Sequence, residues 1–211
     1  MAGKRILLVE GLDDEHVLKH ICGNRGIPNL DEVKQHGSVD RLLDSVPVRL
    51  KASEEGDIVG VVIDADTDLT ARWQSLRGRL IRAGYTSTSV PDSPFASGTI
   101  IDPPANSLLP RVGIWMMPDN KTPGILEDFL RFLVPAGSTL FDHVINSVAT
   151  IPQSERRFGQ LAEPKAIVHT WLAWQEEPGR PLGTAITAKF LDPNVAQADV
   201  LVTWLKTLFF P

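Results

Sequence analysis

The sequence predicts an α/β protein built around a parallel sheet. Three observations carry this. The runs "KRILLVE" (4–10), "DIVGVVID" (57–64) and "RVGIWMMPD" (111–119) are apolar and rich in β-branched residues, as strands buried on both faces are. Between them lie stretches with helical apolar spacing and helix-start or helix-stop residues. The two kinds of segment alternate, and strand tips run into short loops, which is the pattern of βα units.

In chain order, "LDDEHVLKHIC" (12–22) fits an amphipathic helix, and "LDEVKQHG" (30–37) is a candidate second strand. "SVDRLLDSVPVRLK" (38–51) starts as a helix with Ser38 at the N-cap. Pro47 is expected to end or kink it, because proline removes an N–H and crowds the preceding turn. "LTARWQSLRGRLIRAG" (69–84) is a helix closed by Gly84. Residues 85–110, rich in Ser, Pro and Gly, read as a loop with one or two short strands. In "KTPGILEDFLRFLV" (121–134), Thr122 is the expected cap and Pro123 the first helical residue. Beyond 135 the chain reads as helices over "STLFDHVINSVAT", "EPKAIVHTWLAWQEE" and "AQADVLVTWLKTLFF", with "GRPLGTAITAKFLDP" as a loop. The expected organisation is a core over 1–134 and a helical extension over 135–211. Trp171, Trp174, Trp204 and Phe209 lie on apolar helix faces, so the extension is expected to pack on the sheet.

A chain of 211 residues is long enough for one substantial domain, or one with an appendage. Hydrophobic residues at 43% and charged residues at 22% are those of a globular protein. The single cysteine, Cys22, excludes an internal disulfide and favours a reducing cytoplasm. No apolar run approaches the roughly 20 residues that span a bilayer, so no membrane association is expected. "MAGKRILLVEG" reads as a first strand rather than a secretion signal. The net charge of −5 counts against a protein that binds nucleic acid alone.

The candidate chemistry lies in carboxylates at strand tips. The first strand ends at Glu10, followed by Gly11, Asp13 and Asp14. The 57–64 strand ends at Asp64, with Asp66 and Asp68 at every second position. A later strand ends at Asp119, and the helix after it carries Glu127 and Asp128. Ligands gather at the carboxyl ends of parallel strands. Alternate residues of a strand share a face, so "DADTD" can aim carboxylates at one point. Like charges placed so repel, and a hard divalent cation with oxygen ligands, Mg²⁺ or Mn²⁺, would offset that. Each of these acids also fits a helix cap or a solvated loop, Asp68 and Asp13 above all.

"LLVEGLDDEHVL", followed about fifty residues later by "VVIDADTD", resembles a Toprim domain, with Glu10–Gly11 and Asp64–Ala65–Asp66 as the matching motifs over roughly 4–130. "GIWMMPDNKTPGILEDFL" resembles small stand-alone Toprim-like proteins of uncharacterised function over nearly the whole chain. The resemblance implies a Rossmann-like parallel sheet flanked by helices, a divalent metal and phosphodiester chemistry in a prokaryotic cytoplasm. In the similar overcoming-lysogenization-defect nucleases a second acid follows the first glutamate, and Asp14 matches it. A later glutamate there is matched loosely by Glu127, and a lysine near the site by Lys165. Those nucleases carry an attached ATPase, which this chain lacks. The resemblance therefore implies a separately encoded ATPase partner, in phage defence or DNA repair.

On this reading Glu10, Asp14 and Glu127 flank one metal ion, and Asp64 and Asp66 flank another about 4 Å away. Glu10 is then the expected general acid or base and Lys165 the cation that steadies the phosphate. Nucleic acid, DNA or RNA, is the expected partner. Arg72, Arg77, Arg79 and Arg82, in a segment (69–91) without acids, are the expected contact surface, although a solvated helix face fits them equally. The single tyrosine, Tyr85, lies in a loop, which favours hydrolysis over strand transfer. Two other readings stay open: a metal-binding Toprim module that organises a complex without catalysis, and a phosphohydrolase for small phosphate esters. Homo-oligomer formation is also left open by the sequence.

Overall fold

The computed structural model describes residues 3–211. The elements, in order, are β1 (Arg5–Val9), α1 (Leu12–Asn24), β2 (Glu32–Gln35), α2 (Val39–Lys51), β3 (Ile58–Asp64), α3 (Leu69–Ala83), β4 (Thr99–Ile101), β5 (Arg111–Met117), α4 (Leu126–Phe132), α5 (Thr139–Ala149), α6 (Glu163–Ala173), α7 (Leu182–Thr187) and α8 (Ala196–Phe209). The strands form a five-stranded sheet in the order β2-β1-β3-β5-β4, parallel except for β4, which runs antiparallel to β5. The α/β class read from the apolar runs is the class of the structure.

Period-two alternation sends successive side chains to opposite faces of the sheet. Leu7, Val9 and Val62 join the core with α1 and α4 to α8, whereas Ile6, Leu8, Val59, Val61 and Ile63 join the core with α2 and α3. The C-terminal helices therefore share one core with the sheet. Glycines decide how closely α8 can lie. Gly60 and Gly113 are cross-strand partners, and a Cβ on Gly113 would stand 2.3 Å from Leu208 Cδ2. Without side chains there, Leu208 and Phe209 settle directly on the backbone. Burying each such side chain contributes about 1.5–3 kcal/mol.

From β1 the chain passes through α1 to β2 on one side, then returns through α2 to β3 on the other. It then builds outward to β5 and β4. The order of growth reverses between β1 and β3, and a crevice forms outside the carboxyl ends of strands at such a point. Glu10 follows β1 and Asp64 ends β3, so the reversal sets the two acids beside each other.

Four local expectations differ from the structure. Pro47 neither ends nor breaks α2, because Leu42, Leu43, Val46 and Leu50 are buried along one face and hold the helix against the sheet. Thr122 and Pro123 precede α4 rather than starting it. The Asp119 carboxylate accepts from the Lys121 and Thr122 N–H groups, making a turn, and the helix begins after Ile125, whose N–H donates to Asp128 Oδ2. Part of 179–193 forms α7, which packs on α1 through Gly183, where a Cβ would meet the His16 carbonyl carbon at 2.9 Å. Trp174 lies beyond α6 and is 44% exposed, while Trp171, Trp204 and Phe209 are buried. Among the described residues, no helix is long and apolar enough to cross a membrane.

Candidate functional site

A cavity of about 310 Å³ opens at the reversal point. Its walls include Glu10, Asp13, Asp14, Asp64, Glu127 and Lys165, with Gly37 and Ser38 closing one side. Each acid arrives by a different route. Glu10 is the first residue past β1, and its carbonyl accepts the His36 and Gly37 N–H groups at 3.2 and 2.7 Å, tying the end of β2 to the tip of β1. The Asp64 N–H donates to Glu10 Oε1 at 2.8 Å, which locks the two strand tips together. Asp14 stands in the first turn of α1, where its Oδ2 accepts the Gly11 N–H at 3.0 Å. Glu127 stands in the first turn of α4 and is 2% exposed. The Lys165 ammonium reaches it from α6 at 3.8 Å.

The environment disfavours ionisation of these acids. Burial, then the charges of Asp14, Glu10, Glu127 and Asp66, pushes Asp64 up to about 9. Burial pushes Glu10 up to about 7, against the opposing bond from the Asp64 N–H, and the Asp14 and Asp66 charges add to the rise. Asp14 is pushed up to about 6, first by burial and then by Glu127 and Asp13. Glu127 is raised by burial, with Lys165 opposing. Asp14 is 6% exposed, and its Oδ1 has no hydrogen-bond partner among the described residues; Asp64 Oδ1 is likewise buried without one. Carboxylate oxygens hidden from water normally find donors. A cation would answer both the orphaned oxygens and the mutual repulsion, and all-carboxylate oxygen donors suit Mg²⁺ or Mn²⁺. As the side chains stand, no group of three or more His, Cys, Asp or Glu among the described residues could hold a metal ion. The oxygen donors are of the kind Mg²⁺ and Mn²⁺ take, although their present arrangement does not close on an ion.

The structure therefore gathers Glu10, Asp14, Asp64, Glu127 and Lys165. Asp66 is not a wall of the cavity. The strand ends at Asp64 and Asp66 takes φ +52, so the alternation that would have placed it beside Asp64 is interrupted. Its N–H donates to the Gly124 carbonyl at 2.9 Å and its carboxylate pairs with Arg72. Its charge still reaches Glu10 and Asp64. Asp68 caps α3 by accepting the Ala71 N–H, Asp119 makes a turn, and Asp128 bonds the start of α4. Asp13 is exposed in the first turn of α1 and does line the cavity. The sequence marks Ser38 only as an N-cap, and in the fold that cap brings the start of α2, with Gly37, to the cavity wall.

The expected nucleic-acid arginines are mostly engaged within the chain. Arg72 pairs with Asp66, Arg77 with Asp92 at 3.0 Å, and Arg79 with Asp44 at 3.2 Å. Arg82 has no ion pair among the described residues. Helix α3 faces its neighbours more than the sequence of bare arginines suggests. Tyr85 is buried with its hydroxyl donating to the Pro110 carbonyl at 2.6 Å, and it does not line the acidic cavity.

No curated protein and no solved structure matches the chain. A family described as "Protein of unknown function (DUF3226)" matches residues 4–210. That match spans nearly the whole chain, its sheet, its acidic cavity and its C-terminal helices alike, and the chain belongs to this family.

Proposed function

We propose that the chain is a Mg²⁺- or Mn²⁺-dependent hydrolase of nucleic-acid phosphodiesters, acting in the cytoplasm. The observation that carries this reading is the meeting of Glu10, Asp14, Asp64 and Glu127 in one cavity, with buried carboxylate oxygens that lack donors. The Toprim-like motifs around Glu10 and Asp64 support the same reading. Glu10, Asp14, Asp64 and Glu127 would hold the metal, with Asp66 acting from just outside through its charge. A bound divalent ion supplies an activated water and neutralises charge on the phosphate.

The chain's own groups account for the rest. Glu10 Oε1 is engaged by the Asp64 N–H, which leaves Oε2 to take a proton from the attacking water and return it to the leaving oxygen. Lys165, 57% exposed at the cavity mouth, draws a phosphate oxygen inward and offsets charge that builds on it. Leu126 of α4, buried, lines the cavity and adds an apolar wall beside the acids. A separately encoded ATPase fits this chain as a partner that supplies basic surface.

One observation favours a second reading, a metal-binding module that organises a complex without cutting. Arg72, Arg77 and Arg79 are tied to acids of the same chain, which weakens any hold on a polyanion. The deciding experiment is incubation of labelled single- and double-stranded DNA and RNA with Mg²⁺ or Mn²⁺. Cleavage that Asp64→Ala removes supports hydrolysis. Metal binding without cleavage of any of the four substrates supports the module.

A further inference from the structure

A second hollow, of about 270 Å³, opens at the same carboxyl edge of the sheet. It lies between the first turn of α3 (Leu69, Thr70), the residues that follow β5 (Asn120, Lys121) and the loop over 92–96. The acidic cavity flanks the tip of β3 on its β1 side; this hollow flanks it on its β5 side. Its polar groups are of the opposite kind. Thr70 and Ser93 bring hydroxyls, Asn120 an amide and Lys121 an ammonium. The one acid among its walls, Asp92, pairs with Arg77.

Asn120 is the informative residue. It is 3% exposed and takes φ +62, a conformation that asparagine tolerates better than most residues. Its Oδ1 accepts the Met116 N–H at 2.8 Å, which fixes the amide, and its Nδ2 is buried with no acceptor among the described residues. A buried donor left so costs about 1–3 kcal/mol, and an anionic oxygen that reaches it from the hollow, which Asn120 lines, would satisfy it. Lys121 is exposed and has no ion pair among the described residues. The amino end of α3, 15 residues long and capped by Asp68, adjoins the hollow through Leu69 and Thr70. Between the wall residues Pro94 and Ala96 stands Phe95, 54% exposed. Its backbone is anchored by a bond from its N–H to Thr99 Oγ1 at 3.0 Å and by the Gly98 N–H at its carbonyl.

We infer that this hollow is a phosphate subsite for a single nucleic-acid strand, with Phe95, exposed in the same loop, as a surface on which a base stacks. The inference rests on the reading of the acidic cavity as a phosphodiester site, and it names the form of substrate. A strand laid along the carboxyl edge places one phosphate at Asn120 and Lys121 while another lies before Glu10 and Asp64. Only an unpaired strand offers free base faces to an aromatic ring; in a duplex they are stacked within the helix. The subsite also puts the polyanion beside α3's amino end rather than along its paired arginines.

The test is anisotropy of a labelled oligothymidylate and of a matched duplex at low salt without divalent metal. Asn120→Asp keeps the acceptor for Met116 and the size but replaces the free donor with charge. It is expected to weaken single-strand binding by about tenfold or more. Lys121→Ala, at an exposed position, is expected to weaken it several-fold, and Phe95→Ala by about fivefold or more with loss of the preference over duplex. Unchanged binding in Lys121→Ala and Phe95→Ala, or duplex binding as tight as single-strand binding by the unaltered chain, would overturn the subsite. If binding depends on Asn120 and Lys121 but no divalent ion binds the acids, the subsite stands and the hydrolase reading fails.

Discussion

Asp64→Asn is the substitution that separates the charge of the acidic cavity from its shape. In the fold Asp64 keeps its proton up to about 9, against an ordinary value of 3.8. Between those values the folded chain binds more protons than the unfolded one, so stability falls as pH rises. The stabilising contribution is complete below 3.8 and is lost as the pH passes through about 9. One such group contributes a slope of about 1.4 kcal/mol per pH unit. Glu10 and Asp14 shift in the same direction, so the acids share the effect and the slope of each is smaller. Asparagine copies the protonated acid in size and cannot ionise, and Asp64 Oδ1 has no hydrogen bond to lose. The variant is therefore expected to match the unaltered chain near about pH 4 and to exceed it by about 2 kcal/mol near about pH 8. For a chain of this size that is roughly 4–8 °C in melting temperature. Mg²⁺ should then raise the melting temperature of the unaltered chain at the higher pH and leave the variant's nearly unmoved. Thermal denaturation across pH, with and without Mg²⁺, measures both. An equal Mg²⁺ shift in both proteins, or a variant less stable at the higher pH, would refute the reasoning.

Divalent-ion affinity should climb from about pH 6 to 9, by up to about tenfold per unit for each proton released, because Asp14, Glu10 and Asp64 must ionise to bind; titration calorimetry in buffers of different ionisation heat reads the proton release. Tyr85→Phe should cost about 1–2 kcal/mol through the lost bond to Pro110, seen as a lower denaturant midpoint, yet leave any cleavage rate unchanged. Gly113→Ala should cost about 1–3 kcal/mol, because its Cβ would overlap Leu208, and trimming Leu208 to Ala in the same chain should show a non-additive recovery in a double-mutant cycle.

The frame of the fold was legible because strands buried on both faces must be apolar throughout, and Ile6–Val9, Val59–Ile63 and Val112–Met117 are. Glu10 and Asp64 were legible as a pair of acids at strand tips, since a polar residue ending such a run stands at the sheet's edge. Asp66 stands outside the cavity wall for a backbone reason. Its left-handed φ ends the alternation, and no pattern of side chains announces that. The start of α4 was obscured by Asp119, whose carboxylate bonds two N–H groups ahead of the helix. Helix α7 was missed because six residues leave too short a period to read, and Gly183 looks like a loop residue until α1 is seen against it. The arginines of α3 read as free because their partners, Asp44, Asp66 and Asp92, are mostly distant in sequence. Asn120 gave no signal at all, since only the finished fold shows which of its two polar atoms is already bonded.

On the proposed reading, the carboxylates at the tips of β1 and β3 hold a divalent cation. The most direct measurement is anomalous diffraction from a crystal soaked in Mn²⁺ at millimolar concentration near pH 8. The expected result is a peak in the acidic cavity, coordinated by Glu10 and Asp64 together with Asp14 or Glu127, and absent from crystals of Asp64→Asn. Manganese bound only elsewhere on the surface, or a cavity peak that persists in Asp64→Asn, would contradict it.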